Sequence, residues 1–184
     1  LQGSLTACDF GLSTGFNREM AAMPSTDRSS RWELLRAFES AHWLIALGGM
    51  LVTLPLAWFV GNFWMDPGHM TKATLALRLA LLGWSLFLQL PSLLYMAGLN
   101  GLQRQVTTNL VLGASATLRC VGASAMMLWV ARDLTMFLEC QLVVSALQTL
   151  GSRLALVAAL GAPASRPVLR WSLIWQSSRF TAQL

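Results

Sequence analysis

Arg119 lies about a dozen residues from either end of an apolar run at 106–131, on one line of a helix with Thr108, Ser115 and Met126. A charge left alone at the centre of a bilayer costs at least about 2.5 kcal/mol, so a guanidinium held there is either paired or put to use. Asp9, at similar depth on a preceding partial helix, can form an ion pair that fixes helix packing. A functional contact is the other reading, and the residue types alone leave both open.

Two further polar lines accompany it. In the run at 74–99 and just beyond, Arg78, Ser85, Gln89, Ser92, Asn100 and Gln103 fall within about 40° of one direction at ~100° per residue, a stripe expected to face protein or water. In the run at 134–160, Gln141, Ser145, Gln148 and Ser152 share a face from which they can hydrogen-bond across helices, while Glu139 sits on another face. Arg78 and Glu139 lie near the outer ends of their runs and are expected to pair. There is no nucleophile with a matching base, no metal-ligand spacing and no glycine-rich phosphate loop, and His42 and His69 stand isolated. Cys8, Cys120 and Cys140 show no CxxC spacing and read as small buried hydrophobes. The expectation is therefore a protein that is not an enzyme and holds neither metal nor cofactor.

These residues must be positioned by membrane spans. The runs at 41–64, 74–99, 106–131 and 134–160 are each long enough to cross a hydrocarbon core of ~30 Å at ~1.5 Å per residue. Hydrophobic residues make up 55% of the 184 and charged residues 11%, well below the ~25% of a soluble domain, and the mean hydropathy is +0.55. The net charge of +5 is carried by scattered arginines and one lysine, which excludes a dense nucleic-acid-binding patch and reads as a topology signal. Arg18, Arg28, Arg31, Arg36, Arg104, Arg153, Arg166, Arg170 and Arg179 flank one side, against Lys72 and Arg132 on the other. The first side is assigned to the cytoplasm, with Trp64 and Trp129 near the opposite interface.

The fold class is thus an all-α polytopic transmembrane bundle of about four full spans with a partial helix at each end. Residues 1–16 read as the end of an earlier helix, 17–40 and 161–170 as cytoplasmic loops, and 171–184 as the start of a further helix, so the chain reads as a piece of something longer. Within 17–40, Trp32, Leu35, Arg36 and Glu39 at spacings of three and four suggest a solvated, amphipathic helical lead-in to the first span. Pro55 and Pro91 lie within spans and mark expected bends. The tetrapeptide Gly-Ala-Ser-Ala occurs at 113–116 and again at 122–125, small residues that predict a helix inside the bundle.

Several of these segments carry a resemblance. Asp9-Phe10-Gly11-Leu12-Ser13-Thr14 with Phe16-Asn17-Arg18-Glu19, Leu90-Pro91 through Tyr95, Gly101-Leu102-Gln103-Arg104-Gln105-Val106, and Ala116-Thr117-Leu118-Arg119 are together similar to the polysaccharide-biosynthesis flippases of the Wzx, or O-antigen transporter, type. These belong to the multidrug/oligosaccharidyl-lipid/polysaccharide exporter superfamily. The resemblance implies part of one lobe of a two-lobed exporter in a bacterial inner membrane, moving an undecaprenyl-pyrophosphate-linked oligosaccharide. The implied partners are membrane lipids, a polysaccharide polymerase and a chain-length regulator. Arg119 is then the first candidate for the anionic head group, with Gln89, Ser115 and Asn109 as sugar or packing contacts, and Asp9, Arg78 and Glu139 as candidates for ion coupling or ion pairing. The piece alone is not expected to transport. The alternatives are a nontransporting scaffold or subunit of a glycan-assembly complex, and a multidrug exporter of the same superfamily. The scarcity of intramembrane acids argues against the last, which should favour cations.

Overall fold

A computed structural model describes residues 11–24, 26–65, 70–129 and 133–161 and places them in six helices. Helix α1 is Leu12–Ala22, α2 is Arg28–Phe59 followed by a π-helical turn at Val60–Trp64, α3 is Lys72–Phe87, α4 is Leu90–Gly101, α5 is Gln105–Trp129 and α6 is Leu134–Leu160. No strand occurs among the described residues. Three stretches, Arg28–Trp64, Lys72–Gly101 and Leu134–Leu160, are long and apolar enough to cross a membrane. With α5, which at 25 residues has the length to span, they form the bundle of a polytopic membrane protein. Residues 1–10 and 162–184, with Asp9, Cys8, Arg166, Arg170 and Arg179, lie outside the described residues, as do His69 and Arg132.

The segment read as a cytoplasmic loop at 17–40 is largely helical. Asp27 caps α2 by accepting from the Ser30 amide at 3.2 Å and the Ser29 hydroxyl at 3.1 Å. The bonds from Ser30 hold its carboxyl below the ordinary carboxylate value. From there α2 and the π-helical turn after it run on for 37 residues, about 55 Å, through Pro55.

Its first turns are not a solvated lead-in. Trp32, Leu34, Leu35 and Phe38 are buried with Phe16 and Met20 of α1, Leu94, Tyr95 and Leu99 of α4, and Leu156 and Leu160 of α6. The spacing that suggested amphipathicity is real, but α4, α1 and the C-terminal half of α6 cover its apolar side. The Trp32 indole donates to the Gly161 carbonyl at 3.1 Å and ties the start of α2 to the end of α6. Two glycines let α1 come so close: a Cβ at Gly98 would stand 2.7 Å from Phe16 Cε1, and one at Gly101 2.7 Å from the Asn17 carbonyl oxygen.

Helix α5 differs from expectation. Its small residues do not place it inside the bundle: it packs chiefly on α6 and less on α4, and a Cβ at Gly113 would meet nothing within 4 Å. Only Gly122 faces a neighbour closely, with Cys140 Sγ 3.2 Å from its missing Cβ. Small residues permit close approach, but whether a partner uses the permission depends on the other helices present.

Candidate functional site

The helix formed by Lys72–Gly101 is broken at its middle. Pro91 has no N–H to donate and its ring crowds the carbonyl four residues back, which disfavours the regular ladder through this turn. The Gln89 amide turns to the Leu86 carbonyl at 3.1 Å and the Ser92 amide to the Gln89 carbonyl at 3.1 Å. In an unbroken helix the Ser92 amide would bond the Leu88 carbonyl. That carbonyl instead accepts from Thr149 Oγ1 of α6 at 2.7 Å. Irregular backbone at membrane depth is tolerated where such a partner replaces the lost bond.

Next to this break α3, α5 and α6 line a half-open cavity of about 370 Å³. Ser85 and Gln89 face it from α3 and the break, Ser115 and Arg119 from α5, Gln141 and Gln148 from α6, and Leu82, Leu86, Leu112 and Leu138 are among the apolar residues completing the wall. The three polar lines expected from separate runs thus converge on one space. Arg119 donates through Nη2 to Gln148 Oε1 at 2.8 Å and to Ser145 Oγ at 3.4 Å. Ser145 Oγ in turn donates to the Gln141 carbonyl at 2.8 Å, Ser115 Oγ to the Val111 carbonyl at 2.6 Å, and the Gln89 side-chain nitrogen Nε2 to the Ser85 carbonyl at 2.9 Å. The hydroxyl protons are spent on their own helices, which leaves the guanidinium as the charge of the site. Among the residues lining the cavity there is no carboxylate.

Four expected placements are corrected. Asn109 is exposed near the start of α5 and does not line the cavity. Asn100 and Gln103 are likewise exposed: they were phased with Arg78 on the assumption of one continuous helix, and the break at Leu88–Gln89 resets that phase. Arg78 pairs with Asp133 at 2.5 Å and Thr135 Oγ1 at 3.1 Å rather than with Glu139, which is exposed. A long arginine side chain reaches toward the aqueous end of its helix, so matching Cα depths picks the wrong acid. Leu86 shares the cavity wall with Ser85 and Gln89. The proposed Asp9 partner of Arg119 lies outside the described residues.

A second polar cluster was missed. Tyr95 donates its phenolic proton to Glu39 Oε1 at 2.6 Å, Arg153 Nε donates to the same oxygen at 2.7 Å, and the Trp43 indole donates to the Tyr95 oxygen at 3.3 Å. This cluster joins α2, α4 and α6 at the arginine-rich end. Glu39 was assigned to a solvated face and Arg153 to a basic flank, and only the Glu39–Trp43 spacing of four hinted at a shared side. His42, read as isolated, is buried, with Nδ1 2.9 Å from the Phe38 carbonyl and Nε2 3.4 Å from Ser13 Oγ.

Fold and site together define a class: an all-α membrane protein with a singly cationic, amide-rich cavity beside a broken helix. No family model, no curated protein and no solved structure matches the chain.

Proposed function

We propose that this chain belongs to a transporter that passes a pyrophosphate-linked oligosaccharide on a polyprenyl carrier across a bacterial inner membrane, and that the Arg119 cavity receives the anionic head group. The observation that carries the reading is the convergence of Arg119, Gln89, Gln141 and Gln148 on a cavity without a lining carboxylate. A sugar pyrophosphate cannot enter hydrocarbon unaided, because its water must be replaced by donors and acceptors. A guanidinium offers charge-assisted bonds to phosphate oxygens, and primary amides offer both donors and acceptors to hydroxyls. The carrier tail needs no such replacement and stays in lipid. A broken helix beside the site is the arrangement in which transporters place substrate contacts. The resemblance to O-antigen flippases supports the same reading, and the uncovered side of α5 suits packing against a second lobe or a partner subunit.

One observation favours the scaffold alternative: Arg119 already has hydrogen-bond partners in Gln148 and Ser145. Binding separates the two. With the chain in nanodiscs, undecaprenyl pyrophosphate should bind, Arg119→Ala should weaken binding at least about tenfold, the loss of a charge-assisted bond, and Arg119→Lys should retain part of it because the charge survives without the planar fork. Equal affinity in all three proteins would assign Arg119 to packing.

A further inference from the structure

We propose that Thr149 is the latch of a two-state hinge at Leu88–Gln89, a positioning residue that sets the angle between α3 and α4 and so places Gln89 in the cavity. The role of Gln89 rests on the cavity reading above, whereas the hinge itself does not.

The Thr149 hydroxyl has one proton and two acceptors in reach. Its oxygen lies 2.7 Å from the Leu88 carbonyl of the break and 2.9 Å from the Ser145 carbonyl of its own helix. In the bent arrangement the proton serves Leu88 while the Ser92 amide serves Gln89. If the proton turns to Ser145, the Leu88 carbonyl loses its partner, and straightening the turn brings the Ser92 amide back to it in the regular helical pattern. The Gln89 carbonyl keeps the Leu93 amide, now 3.3 Å away, as its helical donor. Both arrangements therefore satisfy the same backbone groups with the same number of bonds. That equality makes the element bistable rather than merely bent. The crowding of Pro91 against the preceding turn tips the balance toward the bend.

The latch also touches the cavity chemistry. Ser145, whose carbonyl is the alternative acceptor, has its hydroxyl 3.4 Å from Arg119 Nη2, so the guanidinium and the hinge share one turn of α6. Thr149 and Ser145 are both fully buried, which removes water as a competing partner for the proton.

The test uses the whole chain in nanodiscs, without its native cysteines, with spin labels at the exposed Leu77 of α3 and Leu147 of α6. Thr149→Val keeps the shape of the side chain and removes the proton. It should raise the population of a second interlabel distance about fivefold, the shift that follows from losing one net hydrogen bond. Thr149→Ser should restore the parent distribution. A residue serving packing alone would lower the unfolding midpoint in the valine variant and leave the distances unmoved, and that result would overturn the latch. Should the valine variant fail to accumulate, Thr149→Ala removes the same proton without steric demand and is read in the same way. Undecaprenyl pyrophosphate binding, measured separately on Arg119→Ala, reports on the cavity reading. Loss of that reading with the distance shift intact leaves the hinge standing, and the reverse pattern removes the hinge alone.

Discussion

The two halves of the bundle are built on opposite plans. At the arginine-rich end, α1, the first turns of α2, α4 and the end of α6 press Phe16, Phe38, Leu94 and Leu156 into a core that excludes solvent almost completely. In the other half, α6 packs on both α3 and α5, which stand apart from each other around the cavity, and the second half of α2 turns Leu51, Val52, Leu56, Trp58 and Phe59 outward. The same helices, α2 and α6, run through both halves. The difference lies in side-chain chemistry: aromatic and branched residues meeting glycines close one half, and amides and hydroxyls from three helices hold the other open. A rigid end beside a looser, polar one is the arrangement in which a hinge can move without unfolding its anchor.

The largest expected effect tests that contrast directly. Phe38, fully buried and with its ring centroid 5.4 Å from that of Phe16, should cost about 3–5 kcal/mol on truncation to alanine, because its neighbours cannot collapse into the space. Phe137→Ala, which enlarges an existing cavity, should cost less than half of that. Unfolding in mixed micelles with increasing dodecyl sulfate measures both. Equal costs would mean that the two halves are packed alike.

A smaller effect is expected at the polar clamp of the closed half. Arg153→Ala leaves Glu39 with only the Tyr95 proton, and Glu39 is 17% exposed against 46% for Arg153. Breaking a buried pair costs more than losing a surface one. Because half of the arginine is screened by solvent, about 1–2 kcal/mol is expected here. Glu39→Gln in the same chain should return most of that loss in the same unfolding assay by removing the stranded charge. No recovery would show that Arg153 acts through packing of its stem.

Much of this contrast was legible in the sequence, and the rest had identifiable reasons to be hidden. The apolar runs announced the helices, with α6 spanning Leu134–Leu160, and the Gln141, Ser145 and Gln148 line faces α5 as a cross-helix partner. Three of the four substrate-contact candidates, Arg119, Gln89 and Ser115, share one cavity. Periodicity gives the phase of a residue within one continuous helix, and for that reason Asn100 and Gln103 were misplaced beyond the break. It says nothing of which neighbour covers a face, so the start of α2 was taken as solvated and α5 as interior. Pairings between distant helices, such as Glu39 with Arg153 or Arg78 with Asp133, depend on the reach of long side chains and on tertiary arrangement, and neither is written in local spacing.

The smallest effect is expected at the outer end of the open half, where Asp133 both caps α6 and receives Arg78. The Thr135 amide, first among the causes, and the Arg78 guanidinium hold its carboxyl below its ordinary value of 3.8. A carboxyl whose folded value is depressed stabilises the fold fully above its unfolded value and loses that contribution as the pH falls through the folded one. Between pH 7 and pH 5 the wild-type unfolding midpoint should therefore stay level as far as this group is concerned. Below about pH 4, where a free aspartate begins to protonate, the midpoint should decline. Asp133→Asn keeps a capping oxygen but no charge, so its midpoint should start slightly lower and the gap from wild type should close in acid. A gap that persists unchanged at pH 3 would show that it does not come from the charge of Asp133 and would leave Arg78 with no electrostatic part in holding α3 to α6.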